Sequence, residues 1–393
     1  MEKIYLLKCL GNLAAEGLAI LLRPRQDSAR KHPSPHEPPV AVKNILVIKI
    51  WGIGNIVLLL PIFKAIKAAY PNSKLSLLTL DSNKTLVQNS PLIDRVFLFK
   101  FTKNPLRITL DFLQILLAVK RTRPDLLINF EQCNRLSAAF SYLTGAKIRL
   151  GFSCQAPRQD GLYTAVIQNN PSLHVTENFS RLCLQSGIPV GKYEYLPPAG
   201  HPSLKNKVGG ILRDNLLLDS RIVVFHVGSG INFIGKRWDP ANFARLADGL
   251  IRLHGIKAVF TGTEDEAPLI KNVLTQMQMK KAALDLCGKL TLPELAEFLR
   301  HFYLFVSNDT GPLHIAVSLK MNTAGIYGPM NPVQYGSLNE NHLSFYKALP
   351  CSPCLTDANN KTSFCKDTKC LNEITVEEVL EKVSEKFFYA PKE

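Results

Sequence analysis

From Asn44 onward the chain alternates short aliphatic and β-branched runs with longer stretches whose apolar positions recur at helical spacing. The run NILVIKI (44–50) reads as a buried strand, and NIVLLLPIFKAIKAAYP (55–71) takes helical spacing up to Tyr70. Then come strand KLSLLTL (74–80), strand DRVFLF (94–99), a helix around Leu110 to Lys120, strand PDLLINF (124–130), helix RLSAAFSYLTGA (135–146) and strand KIRLGF (147–152). A proline- and glycine-rich break, PPAGHPS (197–203), precedes a second series. That series runs RIVVFHV (221–227), a helix from Pro240 to His254, KAVFTG (257–262), a helix from Glu266 to Met279 and LDLCG (284–288). It continues with a helix over Leu292 to Arg300, YLFVSND (303–309), a helix from Pro312 to Leu319 and NTAGIYG (322–328). Strands alternating with helices imply βαβ units and an α/β fold with two parallel sheets. The expected division is a 44–198 domain and a 199–393 domain, with 1–43 as an apolar and basic segment plus linker. No sequence repeat relates the halves, so the duplication is architectural.

The N-terminal segment changes the picture least. Residues 5–22 (YLLKCLGNLAAEGLAILL) are apolar but carry Lys8, Asn12 and Glu16, which argues against a membrane span. No small-residue cleavage site follows, and positive charge does, so a secretory signal also fits poorly. Two readings stay open: an interfacial helix on an anionic leaflet with the tail RPRQDSARKHP beside it, or a helix packed on its own domain. SPHEPPVAVKN (34–44) reads as a linker.

Composition sets the class. With 46% hydrophobic and 20% charged residues the 393-residue chain is an ordinary folded protein with room for two cores. Its net charge of +15 calls for an acidic partner. The basic residues are scattered and form no block that would track a nucleic-acid backbone, so an anionic membrane surface or a phosphorylated substrate is expected and nucleic acid is not. Of nine cysteines, Cys9, Cys133, Cys154, Cys183 and Cys287 lie apart, as in a reducing compartment. Cys351, Cys354, Cys365 and Cys370 form C-x2-C-x10-C-x4-C, whose irregular spacing leaves plain thiols or a surface disulfide ahead of zinc. No cofactor is expected.

In open parallel sheets ligands bind beyond the carboxyl ends of strands, where helix N-termini present free N–H groups. Gly52 and Gly54 make the first such turn, an isolated G-x-G without the rest of a dinucleotide fingerprint. In SNDTGPLHIA (307–316), Asp309 and Thr310 are placed to cap the next helix, Gly311 to let a ligand near the backbone and His314 to donate to a phosphate oxygen. A well-capped helix with a surface histidine would explain half of these residues. GPMNP (328–332) makes another backbone-rich loop. HVGSGINFIGKRWDP (226–240) offers Gly228, Ser229 and Gly230 with Lys236 and Arg237, a glycine loop with cations that suits a pyrophosphate. In TGTEDE (261–266), Glu264 or Glu266 is placed to accept from ribose hydroxyls, or simply to complement a helix N-terminus.

Taken in order, ILVIKIWGIGNIVLLLP, GKRWDP, TGTEDE, SNDTGPLHIA, IYGPMNP and CSPC with its downstream CL..IT resemble glycosyltransferase family 9, the ADP-heptose:lipopolysaccharide heptosyltransferases. The resemblance runs from about Asn44 to the last helix near Phe387. It implies a GT-B architecture, two Rossmann-like domains facing a central cleft, with acceptor on the first and nucleotide-sugar on the second. It also implies an inverting, metal-independent transfer from an ADP-activated donor, an ADP-heptose-like substrate, to a lipid-linked glycan of lipopolysaccharide assembly. The expected place is cytoplasmic, peripheral on the inner membrane. By position Lys236 would hold the donor phosphates, Asp309, Thr310, Gly311 and His314 would line the donor site, and Glu264 or Glu266 would lie near the ribose.

One departure falls on the catalytic step. The family motif usually reads Gly-x-Gly-Asp, its aspartate taken as the base that deprotonates the acceptor hydroxyl, and this chain has Asn55. A carboxamide orients a hydroxyl but cannot take its proton at neutral pH. Either another carboxylate serves, with Glu131 at the end of PDLLINFE the best placed by sequence, or a different donor or acceptor lets orientation supply the rate, or the protein binds nucleotide-sugar without transferring it. A nucleotide-sugar epimerase of similar architecture is a further alternative.

Overall fold

The computed structural model describes residues 42–389 apart from 101, 103, 154–156, 218, 219, 358–360, 362 and 364. The apolar segment 5–22, its basic tail, most of the linker, Cys9 and Cys154 lie outside the described residues. The chain forms two compact units, one ending at Glu194 and one beginning at Tyr195.

The first unit contains strands β1 (Asn44–Ile48), β2 (Lys74–Leu80), β3 (Arg95–Phe99), β4 (Leu126–Asn129), β5 (Ile148–Ser153) and β6 (Ala165–Gln168). Its longer helices are α1 (Ile53–Ala69), α2 (Pro105–Arg121), α3 (Arg135–Leu143) and α4 (Val175–Leu184). All strand pairs are parallel, in the order β3-β2-β1-β4-β5-β6. Parallel strands are covered on both faces, so β1 and β4 read as unbroken apolar runs. The same burial explains α1, whose Ile56, Val57, Leu58, Leu59, Leu60, Ile62, Phe63 and Ile66 are buried and leave no wide polar face.

The second unit repeats the plan. It contains α5 (Pro202–Asp214), β7 (Ile222–His226), α6 (Pro240–His254), β8 (Lys257–Thr261), α7 (Ala267–Gln276), β9 (Ala283–Asp285) and α8 (Leu292–Leu299). Then follow β10 (Leu304–Asn308), α9 (Gly311–Ser318), β11 (Asn322–Tyr327), β12 (His342–Tyr346) and α10 (Val376–Ser384). The parallel order is β12-β11-β10-β7-β8-β9, the order of the first sheet read from its other edge. Each sheet therefore reverses its winding once, between β1 and β4 and between β7 and β10, and those reversals are where crevices for ligands open. The second core gathers Phe225, Trp238, Phe243 and Phe260 with Val376, Val379 and Val383 of α10. Trp238 is fully buried, and its ring N–H donates to Ile374 O at 3.0 Å, so the indole ties the β7 loop to the last helix. Among the described residues no helix is long and apolar enough to cross a membrane.

Candidate functional site

The winding reversal of the first sheet carries Gly52, Asn55 and Glu131. β1 ends at Ile48, and the chain turns through Gly52 at φ 91° into α1. Only glycine takes that angle without strain. A side chain at Gly52 would also sit against the Asn55 amide, which folds back over the turn from the first helical turn of α1. Gly54 is buried in that turn.

Glu131, just past β4, straps this loop in place. One of its oxygens accepts from the Ile50 and Trp51 N–H groups at 2.6 and 2.8 Å, and the other lies 3.4 Å from the buried Lys49 ammonium. Lys49 also donates to Phe130 O. The Glu131 backbone N–H in turn donates to Asn129 Oδ1 at 3.0 Å, and Asn129 Nδ2 donates to Ser137, Ser141 and Tyr163. Glu131 is thus committed to holding the loop that presents Asn55.

The second reversal gathers Ser229, Lys236, Glu266, Asp309, Thr310, Gly311 and His314. The Lys236 ammonium meets Asp309 Oδ2 at 2.6 Å, with both side chains almost enclosed. His314 Nε2 lies 4.0 Å from the other Asp309 oxygen. Burial pushes the Asp309 carboxyl up, but Lys236 and His314 outweigh it, and the carboxyl is held below its ordinary value. The pair lies beside the N-terminus of α9, where backbone N–H groups and the helix dipole add to its positive side. Thr310 occupies the N-cap position of α9, but its side chain makes no capping bond to the helix. Its hydroxyl instead pairs with Ser307 Oγ at 3.0 Å. The expectation that Asp309 and Thr310 cap this helix is corrected: Asp309 turns to Lys236 and Thr310 to Ser307.

Glu266 and Glu264 separate. Glu266 is buried, accepting from Gly230 N–H at 3.0 Å and Thr263 N–H at 2.9 Å in a capping box. Burial raises its carboxyl, yet His226 and the backbone donors hold it below the ordinary value. Any side chain at Gly228 would overlap this carboxylate. Glu264 is exposed at the start of the same turn and is the one of the two that faces solvent. Arg237 clamps the glycine loop from its other side, donating to Ser229 Oγ at 3.1 Å and Gly230 O at 3.2 Å.

Two residues that sequence reasoning passed over organise both sites. Asn129 ends β4 and Asn308 ends β10, the fourth strand of each unit, and both are fully buried. Asn308 accepts from Trp238 N–H at 3.0 Å and donates to Val227 O and Gly228 O, which fixes the loop that delivers Lys236. The available signal was a carboxamide closing a buried, mainly apolar strand, where a polar side chain has to find hydrogen-bond partners.

The clustered cysteines lie under the GPMNP loop. Cys354 N–H donates to Pro329 O at 3.1 Å, and a side chain at Gly328 would meet Leu371 and the Cys370 sulfur. Burial, followed by the neighbouring Cys354, Cys351 and Cys365, pushes the Cys370 thiol up to about 11. Among the described residues no disulfide is formed, and no group of three or more histidine, cysteine or acidic side chains is arranged to hold a metal.

The profile of glycosyltransferase family 9 (heptosyltransferase) matches residues 114–364. The lipooligosaccharide heptosyltransferase 2 of Campylobacter jejuni is 30% identical over 173 residues, 43% of this chain and 52% of the relative, so the chain spans about half the length of that relative. The glycosyl transferase family 9 structure from Veillonella parvula superposes with a TM-score of 0.73 at 20% identity, covering 91% of this chain and all of that one. The Escherichia coli ADP-heptose lps heptosyltransferase II superposes at 0.67 with 16% identity, covering 88% of this chain and 99% of that one. The two doubly wound sheets are therefore a GT-B fold. With that fold and more than half its length matched, the chain belongs to glycosyltransferase family 9.

Proposed function

We propose that this protein is a heptosyltransferase-like glycosyltransferase that moves a sugar from an ADP-activated donor to a lipopolysaccharide core or related envelope glycan, with inversion at the anomeric carbon. The observation that carries the reading is the Lys236–Asp309–His314 cluster at the N-terminus of α9, fixed by Asn308 at the winding reversal of the second sheet. The family membership and the ADP-heptose in the name of the Escherichia coli structure support the donor class. The acceptor hydroxyl oxygen attacks the anomeric carbon as the bond to the diphosphate oxygen breaks, its proton passes to water, and the negative charge that gathers on the departing diphosphate meets the Lys236 ammonium and the α9 amides. Glu264, exposed in the turn after β8, is proposed to accept hydrogen bonds from the ribose hydroxyls. No metal or cofactor is invoked. The lipid-linked acceptor and the net charge of +15 support work at an anionic membrane surface on the cytoplasmic side.

A second reading, a nucleotide-sugar-binding protein with impaired turnover, is favoured by one pair of facts. Asn55 cannot take a proton, and Glu131 is spent on Lys49 and two backbone amides. Calorimetric titration with ADP-, UDP- and GDP-sugars, using Lys236→Ala as control, tests the donor site. Binding of one ADP-sugar that the variant loses is the expected result, and absence of any binding would remove both readings. Product analysis with a core-glycan acceptor then separates transfer from binding alone.

A further inference from the structure

α2 is apolar on both sides, and among the described residues only one side is packed into a core. Leu116 and Val119 are buried against Leu46, Ile48, Leu78 and Phe140, with Phe112 and Ile115 partly buried beside them. The ring of Phe112 meets that of Phe140 edge-on at 5.2 Å. On the other side Leu106, Leu110, Leu113 and Leu117 remain 67%, 49%, 48% and 56% exposed. At about 100° per residue these four fall within an arc of about 60°, a stripe about 16 Å long. Exposed leucines scattered singly need no explanation, but four in register on one helix face mark a contact surface.

Its surroundings identify the contact. Lys120 and Arg121 flank the stripe on either side in the last turn of α2, Arg107 stands at its edge in the first turn, and Lys100 and Arg123 lie just beyond the ends. All five are exposed, and the only acidic residue of the helix is the half-buried Asp111. A second copy of this face would bring these cations onto one another. The chain's own apolar segment 5–22 is followed by Arg23, Arg25, Arg30 and Lys31, so docking it here would also bring like charges together. A leucine stripe edged by cations matches an anionic lipid surface, with the leucines at the acyl boundary and the bases at the phosphates.

We infer that the outer face of α2 is a membrane-docking surface for anionic lipid, placed on the first unit independently of the N-terminal segment. The inference rests on the membrane part of the reading above and gives it a location. It does not depend on the donor assignment.

The test uses the full chain and sedimentation with vesicles of phosphatidylethanolamine plus phosphatidylglycerol, against phosphatidylcholine alone. Native protein binds the anionic vesicles, more weakly as salt rises. Replacing Leu106, Leu110, Leu113 and Leu117 together by Gln, a good helix former, lowers partitioning by at least about tenfold, with the urea midpoint and ADP-sugar affinity unchanged. Lys120→Gln with Arg121→Gln flattens the salt dependence. In a Leu113→Trp variant, emission shifts to the blue on adding anionic vesicles and not before. Unimpaired binding by the four-leucine variant overturns the assignment to α2. Blue-shifted emission from Leu113→Trp without vesicles also overturns it, because the face is then covered by protein. If native protein binds no anionic vesicle, membrane docking falls altogether, while titration with ADP-sugar still decides the donor reading.

Discussion

The Lys236–Asp309 pair makes a sharp prediction because its two members are nearly enclosed and only 2.6 Å apart. Asp309→Asn keeps the shape but removes the carboxylate that balances the Lys236 ammonium, and Lys236→Met keeps the stem but removes the nearest cation of the Asp309 carboxylate, leaving His314 at 4.0 Å. Breaking one side of a buried pair costs about 3–5 kcal/mol, whereas removing both leaves no stranded charge. The double variant should therefore lose at least about 2 kcal/mol less than the sum of the singles. Urea unfolding followed by tryptophan emission reads this directly, since Trp238 is buried in the same unit and its backbone N–H bonds Asn308. Because the Asp309 carboxyl is held low, its contribution is present above the ordinary carboxylate range and is lost as pH falls through the folded value. Asp309→Asn should accordingly flatten the acid limb below about pH 4. Binding supplies the second arm. If Lys236 holds the donor diphosphate, Lys236→Met weakens ADP at least about tenfold, while Asp309→Asn, which releases the ammonium, does not weaken it. Single-variant losses that add within about 0.5 kcal/mol, or equal loss of ADP affinity in both singles, would refute the reasoning.

Three further outcomes follow from the same geometry. Gly228→Ala drives a methyl into the Glu266 carboxylate that holds Gly230 and Thr263, so stability should fall by about 3 kcal/mol or more; a loss under 1 kcal/mol, about the size of an ordinary surface change, would mean the loop yields freely. Asn55→Asp places a carboxylate in the first turn of α1, which should raise stability by about 0.3–1 kcal/mol and, if the base is what the native site lacks, raise transfer by about 10²–10⁴-fold; an unchanged rate would show that the proton leaves by another route. His342 is half-buried against Thr323 and Tyr327, and desolvation, followed by the neighbouring His314 and Lys386, pushes it down to about 3, so below about pH 6.5 the unfolded chain protonates first and stability falls by up to about 1.4 kcal/mol per pH unit until the folded histidine titrates. His342→Gln should flatten that slope between pH 6.5 and 5, and an unaltered slope would assign it to other groups such as the buried His226, whose value burial also lowers.

The α/β class and most of its elements were legible because buried parallel strands favour apolar runs, and β1, β4, β7, β8, β10 and β11 each carry one while β2 is mainly leucine. β6, β12, α4 and α5 were not read. β6 and β12 are sheet-edge strands with partly exposed positions, and α4 and α5 are mostly polar helices in which a few apolar residues carry the helical spacing. The candidate residues were readable as loops after strands, where a parallel sheet presents its ligand crevices. What those residues do was not readable. Lys236 and Asp309 are 73 positions apart and Lys49 and Glu131 82, and nothing local reveals that each pair meets at a winding reversal. Glu131 and Glu266 look like free carboxylates in the sequence, and only the fold shows them spent on backbone amides, leaving Glu264 exposed. The outer leucines of α2 have the same chemistry as its inner ones, and periodicity cannot say which of two apolar faces a domain will use. Sequence determined the elements and the loops between them that offer glycines and cations, because propensity and patterning act locally. Tertiary structure alone decided which charges are balanced, which carboxylates are structural and which apolar face is left over, because those depend on neighbours that only the folded chain brings together.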